Sequence, residues 1–150
     1  MKIRIARPED FDCCVDIVPQ DLLTSRLKAR LGYLIMSRSA LLAVEDDNLT
    51  AVIGFGLVEH DFFDDNGMYL RTVVVKEDQR NSKVGSKLLE AAVEYAKRLG
   101  ARRLFFDTYA ETEEASKRAG ESSGFKPSGY IENMHDEGGR YNIYSLPVFD

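Results

Sequence analysis

Residues Met68 to Leu99 read MYLRTVVVKEDQRNSKVGSKLLEAAVEYAKRL, and the change of period inside this stretch decides the fold. Met68 to Val75 is rich in β-branched residues and ends in Val73-Val74-Val75, as a strand does. From Ser86 the apolar residues Leu88, Leu89, Ala92, Tyr95, Ala96 and Leu99 recur at helical spacing, and Gly100 closes the run. The twelve residues between, Lys76 to Lys87, carry Arg80, Lys83 and Lys87 around Gly85. A helix start exposes unpaired backbone N–H groups and the positive end of the helix dipole. A strand, a basic loop and a helix in this order therefore form a place for a phosphate-bearing ligand. The bland alternative is a solvated basic rim.

Downstream, Arg103 to Tyr109 is a second apolar strand, one helix away from the first. That is the spacing of a β-α-β crossover, so the two strands are expected to be parallel neighbours. Upstream, Lys2 to Ala6 alternates as a strand. Phe11 to Val18 repeats at helical spacing, and Leu23, Leu27, Leu31, Leu34 and Ile35 place a second helix over Asp21 to Ser37. Leu41 to Glu45 and Thr50 to Val58 form a hairpin around Asp46-Asp47-Asn48, and with Met68 to Val75 make three antiparallel strands. Gly54 and Gly56 mark a bulge or a close backbone approach. The chain closes with a polar helix over Thr112 to Ser122, a strand over Phe125 to Met134, the turn Asp136 to Gly139 and a strand over Arg140 to Val148. One mixed α/β domain spanning residues 1–150 is the simplest account.

Composition narrows the function. The 150 residues carry 25 acidic and 20 basic side chains, a net charge of −5 that argues against a general affinity for nucleic acid. No apolar run is long enough to cross a membrane, and the start of the chain alternates instead of forming a leader, so a cytoplasmic location is expected. Cys13 and Cys14 are adjacent, which strains a mutual disulfide. They read as two small core-side residues and free thiols. His60 and His135 stand alone, so no metal site is expected. Neither GxxxxGK[ST] nor GxGxxG occurs.

Val73-Val74-Val75, followed by Arg80-Asn81-Ser82-Lys83-Val84-Gly85 ahead of Ser86-Lys87-Leu88-Leu89, resembles motif A of the GNAT acetyltransferase superfamily, [Q/R]-x-x-G-x-[G/A]. Arg80 matches its first position and Gly85 its last, while Lys83 stands where the family has its first glycine and offers an ammonium group instead. The order β-α-α-β-β-β-α-β-α-β-β is also the family's. The resemblance implies acetyl-CoA as co-substrate, with the pyrophosphate over Arg80, Asn81, Ser82, Lys83, Val84, Gly85 and Ser86. The pantetheine arm would lie along Val73, Val74 and Val75, between fourth and fifth strands that splay apart. It implies direct attack of a primary amine on the thioester.

The same resemblance makes Gly120 a departure, because many members carry a tyrosine at that distance before Gly124-Phe125 to protonate the leaving thiolate. Tyr109 and Ser116 are the substitutes. Glu113 stands where the motif has asparagine. Tyr69 stands where some members have a catalytic glutamate, which leaves Glu59 as the candidate base. Asp61 to Asp65 and Glu132 to Glu137, with Phe62, Phe63 and Tyr130, are candidates for holding an ammonium group by charge and cation–π contact. The acceptor is read as a small molecule or a peptide, with no nucleic acid, no membrane and room for a homodimer. A catalytically silent acyl-CoA sensor is the alternative reading.

Overall fold

Glu45 pairs with Asn48 across the two-residue turn Asp46-Asp47, whose φ angles of +48° and +62° are those of a type I′ hairpin turn. This turn fixes the register of β2 (Ala40–Glu45) against β3 (Asn48–Leu57). The computed structural model describes residues 1–57, 67–111, 113–133 and 138–148. They fall into two units, residues 1–56 with 70–92 and residues 57–69 with 93–150.

In the first unit, β1 (Lys2–Ile5) pairs antiparallel with β2, and β2 with β3. The Lys76 N–H donates to the Thr50 carbonyl at 2.8 Å, which sets the end of β4 (Gly67–Val75) beside the start of β3. The helices α1 (Phe11–Asp16) and α2 (Ser25–Met36) supply the apolar cover. Leu31, Leu34, Ile35 and Cys14 are buried with Leu42 and Val52, while Leu23 and Leu27 pack at the margin. Gly54 is a close approach: a Cβ there would meet the Leu34 side chain and stand 3.0 Å from the Arg71 carbonyl oxygen.

Several boundaries differ from the sequence reading. The second helix starts at Ser25, not Asp21, because the Thr24 hydroxyl caps it by accepting from the Leu27 N–H at 3.1 Å. The helix α1 ends at Asp16 although Val18 is buried, and α3 (Val84–Arg98) starts two residues before Ser86 and leaves Leu99 outside it, 54% exposed. Cys13 is exposed and Cys14 buried, so the pair does not share the core. Adjacent helical residues point about 100° apart. Burial pushes the Cys14 thiol up to about 12.

In the second unit, β4 meets β5 (Arg103–Tyr109) in a parallel ladder three rungs long, Gly67↔Arg103 to Tyr69↔Phe105. The crossover helix between them is α3, as the spacing requires. Strand β5 pairs antiparallel with β7 (Arg140–Pro147), and β7 with β6 (Lys126–Glu132). Among the described residues the seven strands run in the order β1-β2-β3-β4-β5-β7-β6, a mixed sheet. After α4 (Glu114–Ser122), Gly124 adopts φ +90° and the Phe125 N–H reaches back to the Gly120 carbonyl at 2.9 Å. The Gly-Phe pair is thus a helix stop followed by a buried aromatic, not the start of a strand. Among the described residues no helix is long and apolar enough to cross a membrane.

Candidate functional site

The loop that matches the motif lies in the first unit, at the junction of β4 and α3. A single turn, Glu77–Gln79, carries the chain off the strand, and the Arg80 Nε donates back to the Val75 carbonyl at 3.3 Å. The Ser82 hydroxyl donates to the Gln79 carbonyl, closing the loop on itself. Asn81 and Lys83 then take φ of +64° and +65°, the left-handed region that glycine enters without penalty. Lys83 therefore holds the backbone shape of the glycine it replaces. The Lys87 N–H donates to the carbonyl of Lys83, the residue just ahead of α3, at 3.0 Å. Helix geometry leaves the N–H groups of Val84, Gly85 and Ser86 for an outside acceptor. With Arg80, Lys83 and Lys87 exposed nearby, the donor set fits a diphosphate.

Gly85 lies against β4, where a Cβ would touch Val75 Cγ2 at 3.4 Å, an ordinary contact. Alanine would fit there, and a longer side chain would push α3 off the strand. Val84 is buried, Val74 and Val75 are half-buried, and Val73 is 54% exposed. The Val73 side chain therefore stands outside the sheet interior.

The second unit carries the titratable groups. On one side of β5, a single oxygen of Glu113, Oε2, accepts from the Thr108 hydroxyl at 2.6 Å, the Asn142 amide at 2.9 Å and the Tyr144 hydroxyl at 3.2 Å. The Thr108 bond, reinforced by the other two donors, holds this carboxyl below the usual glutamate range despite some desolvation. Burial, then the Glu113 charge, pushes the Tyr144 hydroxyl up. Tyr144 stacks on Phe106, centroids 5.0 Å apart, and Phe106 meets Phe125 edge-on at 4.9 Å. The same ring fills the space beside Gly120, where an added Cβ would stand 2.7 Å from Phe106 Cε1. No tyrosine fits at position 120 while Phe106 holds this place.

On the opposite side of β5, the Tyr69 hydroxyl donates to Asp107 Oδ1 at 2.5 Å. Tyr109 follows two residues on, its ring 5.2 Å from that of Tyr141. The neighbouring Glu111 charge pushes the Tyr109 phenol up. Gly139 packs against it so closely that a Cβ would stand 2.6 Å from Tyr109 Cε2. Ser116 is exposed on α4. Glu59, Asp61 to Asp65 and Met134 to Glu137 lie outside the described residues. Sequence reasoning missed the Tyr69–Asp107 bond and the Glu113 cluster, because both join residues far apart in the chain. The alternation of β5 was the one available signal for which of its residues share a side.

The family model for acetyltransferases of the GNAT family matches residues 7–125, and the chain belongs to that family. Acetyl-CoA is the family's acetyl donor. Solved structures share the fold at low identity. An acetyltransferase of the GNAT family from Bacillus cereus is 17% identical with a TM-score of 0.81, the match covering 99% of this chain and 98% of that one. The ribosomal-protein-S18-alanine N-acetyltransferase of Escherichia coli is 17% identical with a TM-score of 0.81, covering 99% and 94%. YncA of Salmonella typhimurium, solved with its cofactor acetyl-CoA, is 20% identical with a TM-score of 0.80 and the same two coverages, 99% and 94%. No curated protein matches the sequence.

Proposed function

We propose that this chain is one acetyltransferase domain that moves an acetyl group from acetyl-CoA to a primary amine by direct attack in a ternary complex. The observation that carries the reading is the loop Arg80 to Ser86. Two non-glycine residues hold left-handed backbone there, and three helix-end N–H groups lie among basic side chains. That arrangement is costly to keep as a plain turn and useful for gripping a diphosphate. Val73, Val74 and Val75 would offer main-chain groups to the pantetheine arm.

When bound, acetyl-CoA supplies an activated acyl carbon and a thiolate leaving group. The chain's own task is to seat the amine, accept its proton and return one to sulfur. Tyr109, on β5 beside the Glu111 charge, is the proposed donor. Asp107, held by Tyr69, and Glu59 are the carboxylates proposed to receive the amine's proton. The acceptor is proposed to be a small molecule or a peptide amine in the cytoplasm.

Titration of the purified protein with CoA and acetyl-CoA, followed by thiol release over a panel of amines, tests the reading. Saturable binding and amine-dependent thiol release are expected. Absence of CoA binding at millimolar concentration would overturn the proposal. Gly120 in place of a tyrosine favours one second reading, a sensor that binds acyl-CoA without turnover. Tight binding with no thiol release on any amine would select it.

A further inference from the structure

A cavity of about 370 Å³ opens in the first unit where β1 runs out, lined by Arg4, Ile5, Ala6, Arg7, Pro8 and Arg38. We infer that it is a second ligand site, for a small molecule that joins an apolar body to a phosphate or carboxylate group.

Its charge is the first argument. Arg4 is a fixed wall, its two terminal nitrogens each 2.8 Å from a separate oxygen of Asp10 and one of them also donating to the Ile5 carbonyl at 3.2 Å. The Arg7 N–H donates to the same carboxylate at 2.7 Å, which fixes the Arg7 backbone. Neither the Arg7 nor the Arg38 guanidinium is in an ion pair among the described residues, although the charge of Arg7 acts on Asp10. Arg4, Arg7 and Arg38 all line this concave surface, while Asp10 and Glu9 are the carboxylates that act on Arg4. The chain as a whole carries −5. An oxyanion entering this surface would meet guanidinium groups that offer paired N–H donors.

The placement of Arg38 is the second argument. Helix α2 ends with the Ser39 N–H on the Leu34 carbonyl at 2.7 Å and the Arg38 N–H on the Ile35 carbonyl at 3.1 Å. This is the helix stop whose left-handed residue is usually glycine, and Arg38 occupies it at φ +58°. An L-residue there costs about 1–2 kcal/mol, only part of which the helix dipole returns to a cation. The chain thus keeps an arginine in the cavity lining where glycine would be more stable.

Shape is the third. Ala6 is buried and Ile5 half-buried, so the floor is apolar under a cationic rim. The volume exceeds what one phosphate fills and lies within the usual range of small-molecule pockets, about 300–1,000 Å³. The cavity is also distinct from the diphosphate loop. Ile5 registers with Leu41 and Leu41 with Ile53, whereas the loop leaves β4 where Lys76 bonds Thr50, three residues back along β3, and the two share no lining residue.

The test uses phenyl phosphate, benzoate and benzyl alcohol as probes, titrated to tens of millimolar into the isotope-labelled chain and followed by backbone amide shifts. One or both anions should shift the amides of Ala6, Arg7 and Ser39 saturably, and the alcohol should not. A phosphate-only or benzoate-only response assigns the class of ligand. Arg7→Ala and Arg38→Gly should each weaken the response about tenfold. Arg38→Gly relieves strain, so loss of fold cannot explain its effect. No saturable shift at these amides, a response confined to Arg80 to Ser86, or full affinity in the double variant would each overturn the inference.

Discussion

The ring of Phe106 on β5 occupies the space into which any side chain at Gly120 on α4 would have to grow. Phe106 is itself clamped between Tyr144 and Phe125. Gly120→Ala is therefore expected to destabilise the fold by about 1–3 kcal/mol through overpacking. Phe106→Leu in the same chain should recover part of that loss. A denaturant-unfolding double-mutant cycle measures the coupling, and additive effects of the two substitutions would contradict the packing argument.

Lys83 accepts left-handed backbone for the sake of the loop, and Lys83→Gly separates its two contributions. Glycine removes a strain of about 1–2 kcal/mol and returns about 0.5–1 kcal/mol as unfolded-chain entropy, so stability should hold or rise slightly. Losing the ammonium group should weaken CoA binding about tenfold, with the gap narrowing as salt is raised. Unchanged CoA affinity in calorimetric titration would show that Lys83 shapes the loop without touching phosphate.

These two positions show where the sequence was legible and where it was not. Strand β5 could be read to the residue, and the loop from Arg80 to Ser86 could be found, because strand period, helix period and motif spacing are local. The identity of Lys83 signalled a departure but not its backbone, since φ is set by the turn that closes around it. Gly120 signalled a missing hydroxyl, while its cause sits fourteen residues back in Phe106. Helix ends were missed at Thr24 because a cap is a single hydrogen bond within an apolar pattern that continues on both sides.

Glu113 gives the fold an acid-sensitive contact. Its carboxyl is held below the unfolded value of 4.5 chiefly by the Thr108 hydroxyl. A depressed carboxylate adds stability above its unfolded pKa and loses it as pH falls through its folded pKa. Relative to Glu113→Gln, the wild-type chain should be more stable at neutral pH. The advantage should shrink once pH drops past 4.5 and vanish below the folded pKa. Urea unfolding of both proteins between about pH 3 and pH 7 measures this, and a constant difference would show that the three donors do not favour the charged form.

The Tyr69–Asp107 bond spans two strands that meet over only three rungs, and it lies on the side of β5 that also carries Tyr109. A carboxylate held by a phenol beside two aromatic rings suits a group that arrives as an ammonium ion and leaves as an amide. Asp107→Asn is expected to lower kcat/KM for the amine about 10²- to 10⁴-fold while the Kd for CoA stays within about twofold. Tyr69→Phe should fall between, near tenfold, because the carboxylate remains but its orientation is freed. A purely structural pair would behave differently: both variants would lose Tm together, and activity measured well below the melting transition would fall no further than the folded fraction. Steady-state kinetics, CoA calorimetry and thermal melts on the same preparations separate the two cases.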